Sequence, residues 1–442
     1  MASPKSVALY TLGCKLNYSE SSALGRSFVK AGYGIAEFDD GADIYVINTC
    51  SVTDFADRKC RKIIRRAKRK NPDSLIVVTG CYAQLQPEEI AGFEGVDLVL
   101  GAAEKFRIVD HVNALDLGGH SVIKAGSIKQ FLPFESSWSQ GDRTRAFLKV
   151  QDGCDYKCSF CTIPQARGKS RSDRIENIVE QAVQLGKGGI REIVLTGVNI
   201  GDYKDPSATG DRPGDFLELI RALDSVEEVD RFRISSIEPN LCSDKIIEFV
   251  SASNRFMPHF HMPLQSGNDK QLKQMRRRYK RELYEDRVRK IKSLMPHACI
   301  GVDVIVGFPG ETEADFEESY RFVNELEVSY LHVFTFSERA NTPAAEMEEV
   351  VDMGVRKKRN QRMRMLSAKK QNHFCEHFRG DSRPVLFENS NVEGCVSGFT
   401  DNYLKVLVKN PGELVNQIRE VELIDCKDGV FDRAEPMAIY SH

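Results

Sequence analysis

Apolar runs and helical patterns alternate through the first hundred residues. Four runs rich in Val, Ile and Leu are bounded by turn residues and predict buried strands, namely VALYTLG (7–13), DIYVINT (43–49), LIVVTG (75–80) and VDLVLG (96–101). Helical patterns fill the intervals, near residues 19–31, 54–70 and 104–114. Because strand–helix alternation implies right-handed crossovers, we expect a parallel sheet with helices on both faces.

A second series of strands and helices begins near residue 144 and repeats six times. The predicted strands are FLKVQDG (147–153), EIVLTGV (192–198), RFRISSIEP (231–239), FHMPLQSG (260–267), IGVDVIVGFPG (300–310) and YLHVFTFSE (330–338). Helical patterns lie between them, as at 177–189 and 313–326. Six such units suit a partial barrel of parallel strands, in which ligand sites lie at the carboxyl ends of the strands.

The end of the chain is patterned differently. Residues 380–442 read as short strands, at 384–389, 394–400, 403–409 and 417–426, with a hairpin turn at Asp401-Asn402. The predicted fold is therefore α/β with three domains: a flavodoxin/Rossmann-like parallel-sheet domain at 1–116, a partial (β/α)6 barrel at 144–372 and a small β-barrel at 373–442. Residues 117–143 have little periodicity and predict a linker, with Trp138 packing it down.

Composition narrows the function only a little. The 442 residues carry a formal net charge of −2, so a nucleic-acid partner must be argued from local patches. The amino terminus lacks a secretory pattern, and no apolar run is long enough to cross a membrane, so we expect a cytoplasmic protein. Twelve cysteines in such a chain do not indicate a disulfide framework. Six fall into two groups, and the others, Cys375 and Cys426 among them, are interpreted as small apolar residues.

The first group is Cys154, Cys158 and Cys161, three thiols within eight residues. Iron–sulfur clusters are held by cysteine thiolates, and a four-iron cubane normally takes four, so three would leave one iron open. The alternatives are a zinc site or a disulfide. Zinc usually takes four ligands in paired short spacings, and no matching second pair follows.

The second group is Cys14, Cys50 and Cys81, each directly after a predicted strand of the first domain. The carboxyl ends of parallel strands gather on one edge of a sheet, so the three thiols are expected to meet there. They would form a second three-thiolate site. The alternative is three buried core cysteines.

The Cys-x3-Cys-x2-Cys run, with Phe160 before the last cysteine, resembles the signature of the radical S-adenosylmethionine (SAM) enzymes. The segments TLGCKLNYSES (11–21), INTCSVTDFADRK (47–59) and TGCYAQ (79–84) resemble the amino-terminal domain of the methylthiotransferases within that superfamily. The variant GCKLN, with Glu20, is most similar to the branch that acts on threonylcarbamoyladenosine in tRNA. The isopentenyl-adenosine branch tends to read GCQMN and the ribosomal-protein aspartate branch GCPKN.

This resemblance implies two [4Fe–4S] clusters and SAM as cofactors. The Cys154–Cys161 loop would hold the cluster that cleaves SAM to a deoxyadenosyl radical, and Cys14, Cys50 and Cys81 would hold an auxiliary cluster that carries the inserted sulfur. Polar and glycine positions at the barrel strand ends would bind SAM, and the expected set is Phe160, Gly197, Asn199, Ser236, Glu238, Gln265, Ser266, Val306 and Phe336. The carboxyl-terminal barrel resembles the RNA-binding TRAM domain.

Three basic segments are candidates for contact with RNA. The first contains Arg58, Arg61 and Arg65, the second contains Arg276, Arg277 and Arg278, and the third spans 356–364. Phosphate contact is one interpretation, and solvated helix faces are the other. The resemblance implies tRNA as partner, a low-potential electron donor such as a flavodoxin or ferredoxin, and no membrane partner.

The predicted function is methylthiolation of C2 of N6-threonylcarbamoyladenosine beside the anticodon of tRNA. One alternative is the same chemistry on an isopentenyl-type adenosine or on a ribosomal-protein aspartate. Another is a non-catalytic iron–sulfur RNA-binding protein, which would not cleave SAM. A third is a simple radical SAM methylase with a structural zinc in the first domain, which would bind about four irons instead of eight.

Overall fold

The structure is a computed structural model that describes residues 5–50, 54–115, 121–128, 132–139, 144–208, 214–409 and 414–436. The fold class predicted from the sequence is confirmed: two parallel α/β units are followed by a small closed barrel. None of the helices in these ranges is long and apolar enough to cross a bilayer.

The first unit is a six-stranded parallel sheet in the order β2-β1-β3-β4-β5-β6. Its elements are β1 (Ser6–Thr11), α1 (Lys15–Lys30), β2 (Gly34–Ile35), β3 (Ile44–Thr49), α2 (Asp54–Lys70), β4 (Leu75–Gly80), α3 (Cys81–Leu85), α4 (Pro87–Ala91), β5 (Leu98–Leu100), α5 (Ile108–Asn113) and β6 (Val122–Lys124). Helices cover both faces, and all six residues of β3 are buried, as its uninterrupted apolar run requires.

The region interpreted as a linker, 117–143, contributes one strand to the first sheet. Strand β6 pairs parallel with β5 and completes the first sheet. Three residues are too short for a periodic signal, which is why the sequence pattern missed them. Further along, Trp138 forms a bridge to Leu148 and packs against the barrel core. Residues 117–120, 129–131 and 140–143 of the predicted linker lie outside the described ranges.

The second unit contains the six predicted parallel strands in succession. Its elements are β7 (Arg145–Lys149), β8 (Gln151–Asp152), α6 (Ile163–Arg167), β9 (Arg171–Ser172), α7 (Ile175–Lys187), β10 (Glu192–Thr196), α8 (Phe216–Asp224), β11 (Arg231–Ile234), α9 (Asp244–Ala252), β12 (His259–Gln265), α10 (Asp269–Gln274), α11 (Arg281–Leu294), β13 (Cys299–Val306), α12 (Glu313–Glu325), β14 (Tyr330–Thr335) and α13 (Met353–Glu376). Strands β7, β10 and β11 form one sheet and β12, β13 and β14 another. A bridge between Ser236 and His261 joins the two into an open barrel.

The carboxyl-terminal unit is a closed barrel in the order β15-β16-β17-β19-β18. Its strands are β15 (Ser382–Asn389), β16 (Cys395–Thr400), β17 (Lys405–Lys409), β18 (Ile418–Lys427) and β19 (Val430–Pro436). The fifth strand, VFDRAEP, was missed because charged residues interrupt its apolar positions. The interpretation of Cys375 and Cys426 as separate apolar residues is also wrong, since they form a disulfide that joins α13 to β18.

Candidate active site

The auxiliary triad, Cys14, Cys50 and Cys81, lies at the edge where the strand order of the first sheet reverses. Cys14 follows β1 and Cys50 follows β3, the two strands between which parallel sheets of this order bind ligands. Gly13 has a φ of +100°, and a Cβ there would lie 2.6 Å from Cys50 Cβ. A side chain at Gly13 would therefore prevent the two strand ends from approaching each other.

Cys81 reaches the same edge from the next strand. Gly80 has a φ of +103°, and a Cβ on it would lie 2.3 Å from the carbonyl oxygen of Thr49. The start of α3 is thus held against the end of β3, and Cys14 lies within electrostatic range of Cys81. The structure brings together the three thiols that the sequence pattern placed at this edge.

The barrel triad, Cys154, Cys158 and Cys161, lies on the loop after the first barrel strand. Each sulfur accepts one N–H: Tyr156 N donates to Cys154 at 3.4 Å, Ile163 N to Cys161 at 3.5 Å and Arg277 Nη1 to Cys158 at 3.2 Å. Burial raises the pKa of Cys154 to about 11 and that of Cys161 to about 12. Free thiols here are protonated at neutral pH, so a bound metal would displace protons, as thiolate sites do.

Neither triad is spaced for a single metal ion. Among the described residues, one group of three His, Cys, Asp or Glu side chains places its donor atoms within 4.8 Å of one another, and that group is His261, Asp303 and His332. Thiolates around one zinc ion would meet this limit, because Zn–S bonds are about 2.3 Å long. A four-iron core separates its thiolates further, so both triads fit a cluster better than zinc.

A buried charge network connects the two triads. Glu20 accepts Lys105 Nζ at 2.7 Å and Arg167 Nη1 at 2.9 Å, while Asp152 accepts the same Arg167 nitrogen at 2.9 Å. Lys149 and Arg171 complete the network around Asp152, at 3.3 and 3.1 Å. Since α6 ends at Arg167 and packs on α3, the network fixes the barrel loop against the first sheet.

The cations of the network lower the pKa values of its two carboxyl groups, Glu20 and Asp152. Burial opposes ionisation of Glu20, but Arg167, Lys105 and Lys149 outweigh it and hold the pKa of this carboxyl well below its usual range. The same balance, with Arg167 and Lys149 as the main cations, lowers the pKa of Asp152 to about 2. The carboxylates are therefore charged at neutral pH and depend on their cations.

A chamber of about 1030 Å³ lies between the first sheet, the open barrel and the carboxyl-terminal barrel. Its wall includes Cys14 and Cys50 from the auxiliary triad, Gly197 and Ser236 from the barrel strand ends, and Tyr403 from the last domain. Apolar and polar groups mix on this wall, as in sites for small organic groups. The chamber is large enough to admit a nucleoside.

The predicted SAM-binding residues lie at the carboxyl ends of the barrel strands, with two features typical of a ligand site. A Cβ at Gly197 would lie 2.9 Å from Gln151 O, so this turn requires glycine. Asn199 is buried, and neither its Oδ1 nor its Nδ2 has a hydrogen-bond partner among the described residues. Buried polar atoms normally find partners, so these two indicate a missing ligand. Gln151 holds the turn by accepting the backbone N–H of Asn199 at 2.9 Å.

The other members of the set surround this turn in different ways. Phe160 and Phe336 share a small apolar cluster with Phe308, beside the cysteine loop. Gln265 has a φ of +68°, and Ser266 is buried directly after it. Val306 packs into the main barrel core. Of these three rings only Phe160 is partly exposed, so it is the one that can contact a ligand beside the cysteine loop.

Arg277 corrects one sequence-based interpretation. Its side chain is 3% exposed, pairs with Glu238 and donates to Cys158, so it is not a surface contact for RNA. Its neighbours Arg276 and Arg278 are exposed, and Arg278 covers the ring of Tyr156 at 3.8 Å. The run of three arginines therefore divides between the interior and the surface.

The remaining basic segments also divide. Arg58, Arg61 and Arg65 lie on the exposed face of α2, and Arg61 pairs with Glu89 at 2.5 Å. In the third segment, Arg356 and Arg359 are buried, with Arg359 paired to carboxylates on the neighbouring α12 and the turn before it. The third segment therefore divides too, since Lys357, Lys358 and Arg364 are exposed while Arg356 and Arg359 are not available to RNA.

Sequence reasoning missed the residues that act at long range. Lys149 and Asp152 lie in a run predicted as a buried strand, and a charged residue in such a run indicates that its side chain is paired with an opposite charge in the interior. Arg167 had no local signal, because its partner Glu20 is 147 positions away. Lys15 lies next to Cys14 in the segment 11–21, and nothing in the sequence pattern indicates that its side chain lines the chamber.

Comparison with known proteins agrees with this geometry. Residues 148–323 match the family model described as the radical SAM superfamily, and residues 6–101 match the uncharacterized protein family UPF0004. The chain is 40% identical to the threonylcarbamoyladenosine tRNA methylthiotransferase MtaB of Bacillus subtilis, over 99% of this chain and 98% of that protein. It is 35% identical to the MtaB of Thermotoga maritima, over 98% of this chain and 99% of that protein.

More distant proteins share parts of this picture. The tRNA-2-methylthio-N(6)-dimethylallyladenosine synthase of Staphylococcus haemolyticus is 31% identical, over 97% of this chain and 84% of that protein. The radical SAM methyltransferase TsrM from Kitasatospora setae, solved with tryptophan and a SAM analogue, shares the fold at a TM-score of 0.59 and 13% identity, over 88% of this chain and 79% of that one. The chain belongs to the radical SAM methylthiotransferase family, within the branch of threonylcarbamoyladenosine tRNA methylthiotransferases.

Proposed function

We propose that this protein attaches a methylthio group to C2 of N6-threonylcarbamoyladenosine in tRNA, using SAM and two [4Fe–4S] clusters. The observation that carries the proposal is the pair of three-cysteine sets, which the contact between α3 and α6 joins, with Cys14 and Cys50 of the auxiliary triad in the wall of a chamber of about 1030 Å³. An aromatic C2–H is not acidic enough for ordinary base chemistry, so the reaction needs a reactive group made beside it and kept from water.

The barrel triad would hold the SAM-cleaving cluster, and the auxiliary triad would hold the second. When bound, these clusters and SAM supply the one-electron chemistry, the sulfur and the methyl group. The chain's own residues position and enclose them. Arg277 and Glu238 anchor the sulfur of Cys158, Gln151 fixes the turn at Asn199, and the Phe160 cluster excludes water.

Surface charge supplies the means of binding tRNA. The exposed residues Arg58, Arg61 and Arg65 on α2, together with Arg276 and Arg278 near the cysteine loop, are suited to phosphate contacts. The carboxyl-terminal barrel acts as a TRAM-type RNA-binding domain beside the chamber. A low-potential flavodoxin or ferredoxin supplies electrons, and the reaction takes place in the cytoplasm.

The proposal is tested by anaerobic reconstitution with tRNA that carries threonylcarbamoyladenosine, followed by mass spectrometry of the nucleosides. We expect the methylthio product, deoxyadenosine and about eight irons per chain. Cys158→Ala should lose both products and about four irons, and Cys81→Ala should lose the methylthio product and about four irons. Cys242→Ala, a buried cysteine outside both triads, is the matched control and should keep all eight.

Two outcomes would reject the proposal. One is methylthiolation of dimethylallyl-adenosine tRNA or of a ribosomal-protein aspartate, with none on threonylcarbamoyladenosine. The other is about eight irons in the Cys81→Ala variant, because the auxiliary triad would then hold no cluster.

A further inference from the structure

Lys15 is an unusual cation because it points into the interior of the site without a partner. It is the first residue of α1, directly after Cys14, and it lines both the chamber and an adjoining pouch of about 360 Å³. It makes no hydrogen bond or ion pair with any residue that the structure describes. A buried or partly buried ammonium without an acceptor is costly, so a partner is expected from outside the chain.

The pouch has an excess of positive charge. Besides Lys15, its wall contains Arg145 and Arg233. Arg233 forms two hydrogen bonds with the buried Glu192, at 3.1 and 2.9 Å, and Arg145 pairs with Glu388 at 3.2 Å. These two arginines use the nearby carboxylates, so Lys15 remains to be neutralised by an anion.

Two histidines of the chamber wall contact polar groups of the chain. His261 Nε2 lies 2.8 Å from Asp303 Oδ1, and His259 contacts Tyr330 Oη at 3.2 Å and stacks on Tyr403. The other two lysines of the chamber wall, Lys59 and Lys405, are exposed to solvent, so Lys15 is the half-buried cation that an acidic group in the chamber would neutralise.

We propose that Lys15, with the pouch behind it, binds the carboxylate of the threonylcarbamoyl group on the target adenosine. This inference rests on the proposed function and names the residue that selects the substrate. A threonylcarbamoyl group carries a carboxylate and a hydroxyl, whereas a dimethylallyl group is a hydrocarbon. The carboxylate would neutralise Lys15, while the hydrocarbon would leave the ammonium desolvated and unpaired, and sites with such polar groups reject apolar analogues strongly.

The test compares two substrates on the same enzyme. Anticodon stem-loop RNAs are made with threonylcarbamoyladenosine and with its carboxamide analogue, in which the carboxylate is replaced by a neutral amide. We expect the reconstituted wild-type protein to show a kcat/KM about 10- to 100-fold lower for the amide, mainly through KM, because a charged hydrogen bond is lost. In Lys15→Gln this ratio should fall to about 1, and in Lys15→Arg it should largely return.

Controls separate this inference from other roles of the lysine. Iron and sulfide are counted in each variant, so that loss of the auxiliary cluster is recognised, and the wild-type substrate comparison needs no mutation at all. Lys405→Gln, an exposed lysine at the chamber wall, should leave the carboxylate-to-amide ratio unchanged.

Two results would overturn the inference. If wild-type protein uses both RNAs equally, the carboxylate is not read. If Lys15→Gln weakens both equally and keeps the ratio, the lysine binds something else, such as an RNA phosphate. A wild-type protein that modifies neither RNA would instead contradict the proposed function, so the two failures are distinguishable.

Discussion

Removing the guanidinium of Arg167 should release the barrel loop from the first sheet. This side chain makes hydrogen bonds to Glu20 at 2.9 and 3.1 Å, to Asp152 at 2.9 Å and to Asn17 at 2.6 Å, all buried. Breaking a buried pair by removing one partner costs about 3–5 kcal/mol. Because Lys105 and Lys149 remain beside the carboxylates, we expect the lower end of that range for Arg167→Gln.

The assay is native-state hydrogen exchange on peptides that cover α3 and α6. A loss of about 3 kcal/mol in local opening free energy corresponds to exchange at least about 100-fold faster in both helices. The matched control is Arg289→Gln, whose side chain is 69% exposed and pairs with Glu285 at 3.0 Å. That change should alter the opening free energy by less than about 1 kcal/mol. Equal protection of α3 and α6 in the two variants would refute the assigned role of the network.

Three further predictions concern the same elements. In the metal-free protein, the pKa values of Glu20 and Asp152 are depressed, so the two carboxylates stabilise the fold at neutral pH. This stabilisation should be lost as the pH falls from about 4 towards 2, and urea unfolding at each pH would detect the loss. A free energy of unfolding that does not change over this pH range would contradict the prediction. Arg277→Met removes an N–H donor from Cys158 and should lower the reduction potential of the barrel cluster in an EPR-monitored titration, whereas an unchanged potential would exclude that role. Reduction of the Cys375–Cys426 disulfide should destabilise the carboxyl-terminal barrel by about 4 kcal/mol, since the bond links residues 51 positions apart. Cys395 is a free cysteine of the same barrel, and the control variant Cys395→Ser should show the same loss of stability on reduction.

The architecture was largely predictable from local patterns. Strands β3, β4 and β10 are almost entirely buried and carry apolar runs, which the sequence displays directly. Cys14, Cys50 and Cys81 could be expected at one place because they follow strands of one parallel sheet. The sequence pattern missed β2, β6 and β9, which have two or three residues each, and β19, whose apolar positions are interrupted by charges.

The details of the site depended on contacts that sequence spacing does not contain. Arg276, Arg277 and Arg278 look equivalent in the sequence, and the turn after α10 alone decides that the middle one faces Cys158. The partners Arg167 and Glu20 come from different domains. Long-range ion pairs of this kind require the assembled fold, because neither residue has a local pattern that identifies its partner.

The central claim of the proposed function is that the two triads hold two clusters close enough together to act on one substrate. EPR spectroscopy of the doubly reduced, reconstituted protein tests it most directly, with Cys81→Ala and Cys158→Ala supplying the spectrum of each cluster alone. We predict that the wild-type spectrum is broadened by magnetic coupling between neighbouring clusters and differs from the sum of the two single-cluster spectra. A wild-type spectrum equal to that sum would show that the clusters are far apart and would contradict the claim.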